Sequence, residues 1–225
     1  MTLYSPNTDP KYQHDGIPSP PEPSADIVVS PDTLRDNRLP QGQHRTPKWP
    51  VLHATTVPKI DPESWTLCID GLVQQPLRFT LPEFQKLPRV KVFADFHCVT
   101  TWSRLGNLWE GVSLTHLLEM AGVRQEARFA IAAASDGDWT TNIPLWAANE
   151  ADVLLADTHD QLPIDADHGG PVRLVVPRLF AWKSAKWVKR ITLVAEDKRG
   201  YWEQLGYHDT GDPWKGQRLN PEDHN

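Results

Sequence analysis

Pro171-Val-Arg-Leu-Val-Val-Pro-Arg-Leu-Phe-Ala-Trp-Lys-Ser-Ala-Lys-Trp-Val-Lys-Arg190 holds two features at once. Val172–Val176 and the run that begins at Val188 and ends at Val194 are apolar and short, the signature of buried strands. The connection between them, 177–187, carries Arg178, Lys183 and Lys186. Working outward, the same texture repeats. Glu63–Asp70 alternates apolar and polar residues like a half-buried strand, and 90–96, 127–134, 139–143 and 153–156 read as further strands. Thr80-Leu-Pro-Glu83 is a capping-box pattern and opens a short helix to Leu87, stopped by Pro88. Ser113 caps a second helix whose Leu114, Leu117, Leu118 and Ala121 share a face, with Gly122 beyond its end. Strands outnumber helices without the regular alternation of a doubly wound sheet, so the fold class expected is α+β with a mixed sheet.

Composition narrows the function classes. The chain has 225 residues, enough for one large domain or one domain and a tail. Asp and Glu number 29 against 23 Lys and Arg, a net charge of −6, and an acidic chain lacks the basic footprint that nucleic acid requires. No run of 18 apolar residues predicts a membrane span. The first 30 residues show no export signal, and Cys68 and Cys98 cannot build a disulfide framework, so a reduced, cytoplasmic setting is expected.

Ten of the 21 prolines lie in the first 50 residues, one in five against a usual ~5%. Proline lacks the N–H that a helix interior or a central strand needs. Residues 1–38 therefore read as an extended, partly disordered arm, and 39–225 as the domain. The arm is either a tail without a role or a strap that lends residues to a site.

Three stretches can carry chemistry. Residues 171–190 hold six cations (Arg173, Arg178, Lys183, Lys186, Lys189, Arg190) and no acid. With the paired glycines of His168-Gly-Gly-Pro171 beside them, they suit a phosphate-bearing ligand, or else form a solvated basic face. Cys98 follows a strand and opens a polar stretch, Cys98-Val-Thr-Thr-Trp-Ser103. It is a small buried hydrophobe, a nucleophile with His97 or another histidine as base, a zinc ligand, or a single thiolate on a soft metal whose other ligands come from a cofactor. The aromatic stretch Tyr201–His208 either packs in the core or sets a phenol in a pocket.

Taken in order, these segments resemble the molybdopterin-binding domain of the sulfite oxidase family, and in particular its short prokaryotic members. The resemblance rests on His97-Cys-Val-Thr-Thr-Trp-Ser103, Gly170-Pro-Val-Arg173 and Lys183-Ser-Ala-Lys-Trp187. Leu39–His44, Trp49-Pro-Val-Leu-His53, Gly206-Tyr-His208 and Asp212-Pro-Trp214 add to it, over roughly residues 39–218. It implies a molybdenum-molybdopterin (Mo-MPT) oxidoreductase in which Cys98 is the metal ligand. Pterin-phosphate contacts would fall on His168, Arg173 and Ser184-Ala185-Lys186, and N-terminal pterin contacts on Gln43, His44 and Thr46. Tyr207, five residues after Trp202, would stand beside the metal, and Arg104 would bind an anionic substrate. Thr101 departs from the family where a small residue is frequent, and Phe180 where tyrosine is. No segment corresponds to a haem domain or to the immunoglobulin-like dimerisation domain. The expected activity is oxygen-atom transfer to or from a small substrate, a sulfite-like anion or a sulfoxide, with electrons exchanged with a separate partner protein. A molybdopterin-binding module without turnover and a cysteine-nucleophile enzyme are the alternatives.

Overall fold

In the computed structural model, residues 16–22, 24 and 27–221 are described; residues 1–15, 23, 25 and 26 of the expected arm and the last four residues lie outside them. The described strands are β1 (Ile27–Val29), β2 (His44–Arg45), β3 (Thr66–Gly71), β4 (Leu77–Thr80), β5 (Val90–His97), β6 (Trp102–Ser113), β7 (Phe129–Ala134), β8 (Thr140–Pro144), β9 (Leu154–His159), β10 (Leu162–Pro163), β11 (Arg173–Val175) and β12 (Val188–Val194). The α-helices are short: α1 (Leu81–Gln85), α2 (Leu114–Ala121), α3 (Leu145–Ala148) and α4 (Tyr201–Gln204).

Two sheets result. One runs β4-β3-β12-β7-β8, with β12 parallel to β3 and antiparallel to β7. The other runs β1-β5-β6-β9-β10, with β2 added parallel to β6 and β11 antiparallel to β9. The fold is therefore α+β with mixed sheets. Leu67, Ile69, Phe84, Val112, Leu117, Ala130, Ala132 and Ile191 form one core, and each large aliphatic buried there contributes roughly 1.5–3 kcal/mol. Trp49, Phe96, Trp102, Trp109, Leu154 and Val175 form a second.

Local chemistry sets the ends of the helices. Glu83 accepts from the Thr80 N–H at 2.8 Å and from its hydroxyl, which fixes α1. The Ser113 hydroxyl accepts from His116 N–H, and Gly122 at φ +65° closes α2. β6 begins at Trp102, after the turn expected at Cys98–Thr101, and runs on through 104–112, where the sequence reading places no strand. Its two glycines and burial on both faces hide the period-2 pattern. Gly106 adopts φ +72° in a bulge of β6, where Leu105 and Gly106 face the single residue Asp95 of β5, and its N–H donates to the Asp95 carboxylate at 2.8 Å. A Cβ on Gly111 would lie 1.9 Å from the Leu155 carbonyl oxygen, so only glycine lets β6 and β9 meet.

The segment 27–38 is tied down. β1, bracketed by Pro23 and Pro31, adds to β5 at the sheet edge, the place left to strands in proline-rich sequence. Ser30 donates to Asp152 at 2.7 Å, and Arg38 grips Asp95 with two bonds of 2.6 and 2.8 Å.

Gly111→Ala is expected to destabilise the fold by about 1–3 kcal/mol or more, because the clash is with backbone. Gly16→Ala, whose Cβ meets nothing within 4 Å, is the control. Equal melting temperatures for the two variants would show that β6 and β9 do not meet this closely.

Candidate active site

The strand β5 ends at His97 and the chain turns tightly before β6 begins at Trp102, leaving Cys98 at the bend. The Cys98 N–H donates to the Trp102 carbonyl at 2.9 Å, and the Thr101 N–H donates back to the Cys98 carbonyl at 3.0 Å. Thr101 sits at φ +79°, a left-handed conformation that a β-branched residue adopts at a cost of roughly 1–3 kcal/mol. The Gln43 side-chain amide donates to the Cys98 carbonyl at 3.0 Å, and the His44 N–H to the Thr101 carbonyl at 2.8 Å. From the other end of the chain, Arg218 donates to the Val99 carbonyl.

Cys98 opens onto a cleft with about 830 Å³ of empty space, counted out to the open solvent at its mouth. Arg173, Ser184, Lys186 and Tyr207 line the same cleft, so five of the expected site residues converge. Tryptophans 49, 102, 139, 182, 187 and 202 make up much of its wall.

The six cations of 171–190 divide. Lys183 is fully buried on Glu203 at 2.6 Å, Arg178 meets Asp152 and Glu150, and Arg190 meets Asp70. Lys189 is exposed and donates to the Gly137 carbonyl. Arg173 and Lys186 differ. The Arg173 guanidinium donates to the carbonyls of His168 and Ser184 and lies over the rings of Trp49, Phe96 and Trp109, and its Nε has no partner. Lys186 donates to the Asp167 carbonyl at 2.7 Å and sits 3.2 Å from His53 Nδ1. Among the described residues neither has a carboxylate within ion-pair reach. Burial presses the Arg173 pKa down, and burial with the neighbouring Arg173 charge lowers Lys186 to about 7.

Other expected residues fall outside the cleft wall. Gln43, His44 and Thr46 brace the Cys98 turn and β6, with the Thr46 N–H donating to the Ser103 carbonyl at 2.9 Å. His168 stacks on Trp49 with ring centroids 3.9 Å apart and bonds Asp165 at 2.8 Å, so it backs the wall. Ala185 is core, its carbonyl accepting from Leu174. Arg104 is buried away from the cleft on Asp160 at 2.5 Å and on Asn107. Phe180 is buried and stacks on Trp182. The glycine pair does not hold space open for a ligand. A Cβ on Gly169 would strike Lys186 at 2.8 Å and one on Gly170 the Ile164 carbonyl oxygen at 2.2 Å, so the chain itself fills that room.

Three polar cleft residues, His53, Thr100 and Asp136, carry no role in the sequence reading. His53 closes the Trp49–His53 motif and was legible from it, but it was not given a role. Asp136 lies in the β7–β8 turn, where nothing marks it. Its Oδ2 accepts from Thr55, its Oδ1 is buried without a partner, and burial raises its pKa. The geometry does not make an activated cysteine. Burial raises the Cys98 thiol pKa, and His97 bonds Ser103 at 2.8 Å while burial lowers its pKa to about 4.

The family model described as oxidoreductase molybdopterin binding domain matches residues 53–202. The chain is 43% identical over 186 residues to the uncharacterized oxidoreductase YuiH of Bacillus subtilis, across 82% of this chain and 93% of that one. It is 30% identical over 152 residues to a putative protein-methionine-sulfoxide reductase subunit of Azospira oryzae, 68% of this chain and 57% of that one. With the sulfite oxidase of Arabidopsis thaliana it shares 28% over 179 residues, 64% of this chain and 46% of that one. The chain thus spans about half the length of these last two. The crystal structure of the sulfane dehydrogenase SoxCD from Paracoccus pantotrophus shares the fold, with a TM-score of 0.63 at 22% identity over 83% of this chain and 46% of that one.

Lys186 yields a signed pH test. An unfolded lysine titrates near ~10.4, so between about 7 and that value the unfolded chain holds a proton that the folded, cofactor-free chain has lost. The stability this lysine takes away below pH 7 is therefore recovered as pH rises from about 7 toward about 10. The melting temperature of the parent relative to Lys186→Met should climb across that window. Parallel profiles would show that Lys186 keeps an ordinary pKa.

Proposed function

The chain belongs to the oxidoreductase molybdopterin-binding family, and we propose that it reduces a neutral organic sulfoxide at a molybdenum held by Cys98. The family's cofactor is molybdenum-molybdopterin, and the residues present fit it. Cys98 offers one soft sulfur to the cleft, and among the described residues no group of three or more His, Cys, Asp or Glu could hold a metal alone. The remaining ligands then come with the cofactor, as its dithiolene allows. Arg173 is buried and Lys186 half-buried, neither has a carboxylate counter-ion among the described residues, and a phosphate would supply one. His53 and the unpartnered Oδ1 of Asp136 add polar contacts on the same wall.

When bound, the cofactor supplies a two-electron couple between Mo(VI) and Mo(IV). The chain does the rest. Cys98 fixes the metal's position through its pinned turn. Arg173, Ser184 and Lys186 hold the phosphate end. Burial raises the pKa of the Tyr207 phenol, which keeps it a neutral donor able to bond the substrate oxygen. Trp182 and Trp202 pack against Tyr207 with centroids 5.2 and 5.0 Å away and exclude water from that end.

One observation favours a sulfoxide over sulfite. Arg173 and Lys186 are the arginine and the lysine on the cleft wall, and the phosphate would take both. Around Cys98 and Tyr207 the wall is Val99, Thr100, Ala181, Trp182 and Trp202, which suits a polar S–O group on an apolar body and leaves a doubly charged anion unpaired. The name of the Azospira relative points the same way. Reduction of a sulfoxide to the corresponding thioether breaks the S–O bond, releases the oxygen as water and consumes two electrons and two protons. A separate donor protein would supply the electrons. The free Cys68 and Cys98 suit the reducing cytoplasm, and among the described residues no helix is long and apolar enough to cross a membrane.

Protein made in a host competent for molybdopterin synthesis should carry one molybdenum per chain and reduce an aryl alkyl sulfoxide with an artificial electron donor. Tyr207→Phe should keep the metal and slow turnover on the order of tenfold or more. Cys98→Ser should lose several orders of magnitude of activity, and Cys68→Ser should not. Oxidation of sulfite with no reduction of sulfoxides would overturn the substrate reading. A metal whose absorption does not change with oxidant and reductant would mark a binding module instead.

A further inference from the structure

The Cys98 turn carries one side-chain contact that neither its backbone bonds nor the proposed reaction accounts for. The Thr100 hydroxyl lies 3.2 Å from Cys98 Sγ, within hydrogen-bond reach of sulfur. Both residues line the cleft, and Thr100 is exposed to it. The contact is held in place from all sides. The carbonyls of Cys98, Val99 and Thr101 are each engaged, by Gln43 and the Thr101 N–H, by Arg218 and by His44 respectively. Residue 100 therefore has no freedom to swing its backbone away from the sulfur. The strained φ of Thr101 is part of what aims it there.

We infer that Thr100 is a positioning residue whose hydroxyl donates a hydrogen bond to the metal-bound Cys98 sulfur and raises the reduction potential of the centre. The inference rests on the reading of Cys98 as the metal ligand. A coordinated thiolate has no proton to give, so the hydroxyl must be the donor. A hydrogen bond to sulfur withdraws electron density from it and weakens its donation to the metal, which favours the more electron-rich, reduced state. Thr100 would thus make the oxidised centre easier for a partner to reduce.

The test uses the cofactor-loaded protein and three substitutions. Thr100→Val keeps the branched shape and removes only the hydroxyl, while Thr100→Ser keeps the hydroxyl and loses the methyl. Thr100→Ala repeats the removal should the valine disturb cofactor loading. Molybdenum content, melting temperature, the midpoint potential from a redox titration and the sulfur-to-molybdenum absorption are read for each. Thr100→Val or Thr100→Ala should match the parent in metal content and melting temperature, with a lower midpoint potential and a shifted absorption band. Thr100→Ser should return both to the parent values. An unchanged potential without the hydroxyl overturns the inference, and so does a serine variant that shifts as far as the valine one. Cys98→Ser separates the two levels. A native absorption band in Cys98→Ser defeats the assignment of the ligand itself. A changed band there beside an unchanged Thr100→Val defeats only the role of Thr100.

Discussion

The hydrogen bonds that both ends of the domain make to the Cys98–Thr101 turn are the constraint on which the site depends. A four-residue bend with a left-handed threonine does not hold itself, because Thr101 alone costs roughly 1–3 kcal/mol. Gln43 and His44 bond it from one direction and Arg218 from the other. Bonds of this kind contribute about 0.5–1.5 kcal/mol each, so together they offset the strain. This explains the path of the chain. Residues 39–46 must run along β6, which β2 does, and the last segment must come back past Tyr207, which it does through the bridge from Tyr207 to Leu219. Cys98, the first residue of the turn, and Tyr207 are thereby fixed to the same scaffold.

A second constraint runs against stability. Arg173 and Lys186 are held in the wall with carbonyls, rings and a histidine for company, and without a carboxylate. An unpaired buried cation destabilises the free protein. The same feature prepares a place where an anion gains more than it would at a surface, since the cations are already desolvated and oriented. The acidic remainder of the chain keeps its carboxylates on other partners: Asp95 on Arg38, Asp152 on Arg178 and Ser30, Glu203 on Lys183.

Much of this was legible in the sequence, and the failures have physical causes. α2 could be read to the residue because cap, apolar face and terminal glycine agree. β12 was legible because a short apolar run has little else to become. β6 was not, because Gly106 and Gly111 serve a bulge and a backbone contact with a strand distant in sequence. Proline content marked residues 1–38 as extended, yet not that Arg38 would reach Asp95, 57 residues on. The pattern located Cys98, Arg173, Lys186 and Tyr207, which the fold then gathers in one cleft. It could not show that Gln43, His44 and Thr46 brace the turn while His53 reaches the cleft, since all four lie in one stretch and only tertiary geometry separates them.

Lys183 and Lys186 show how far charge alone can carry such a reading. They stand three residues apart in one basic run, and the structure sends them to opposite tasks. Ala181–Lys183 is a single 3-10 turn that ends at Ser184, and Trp187 at φ +49° redirects the chain again, so the two side chains leave in different directions. Lys186 faces the cleft. Lys183 turns inward to Glu203, whose Oε1 also accepts from Trp182 Nε1 at 2.9 Å and from the Thr141 hydroxyl at 2.8 Å. Glu203 belongs to α4, whose end leads through Gly206 at φ +91° into Tyr207. The buried pair therefore ties the Trp182 indole, the α4 helix and the Tyr207 ring into one rigid unit. A charge pair with no access to the cleft fixes part of the cleft's aromatic wall, and one run of cations supplies both a lysine on that wall and the support for Tyr207.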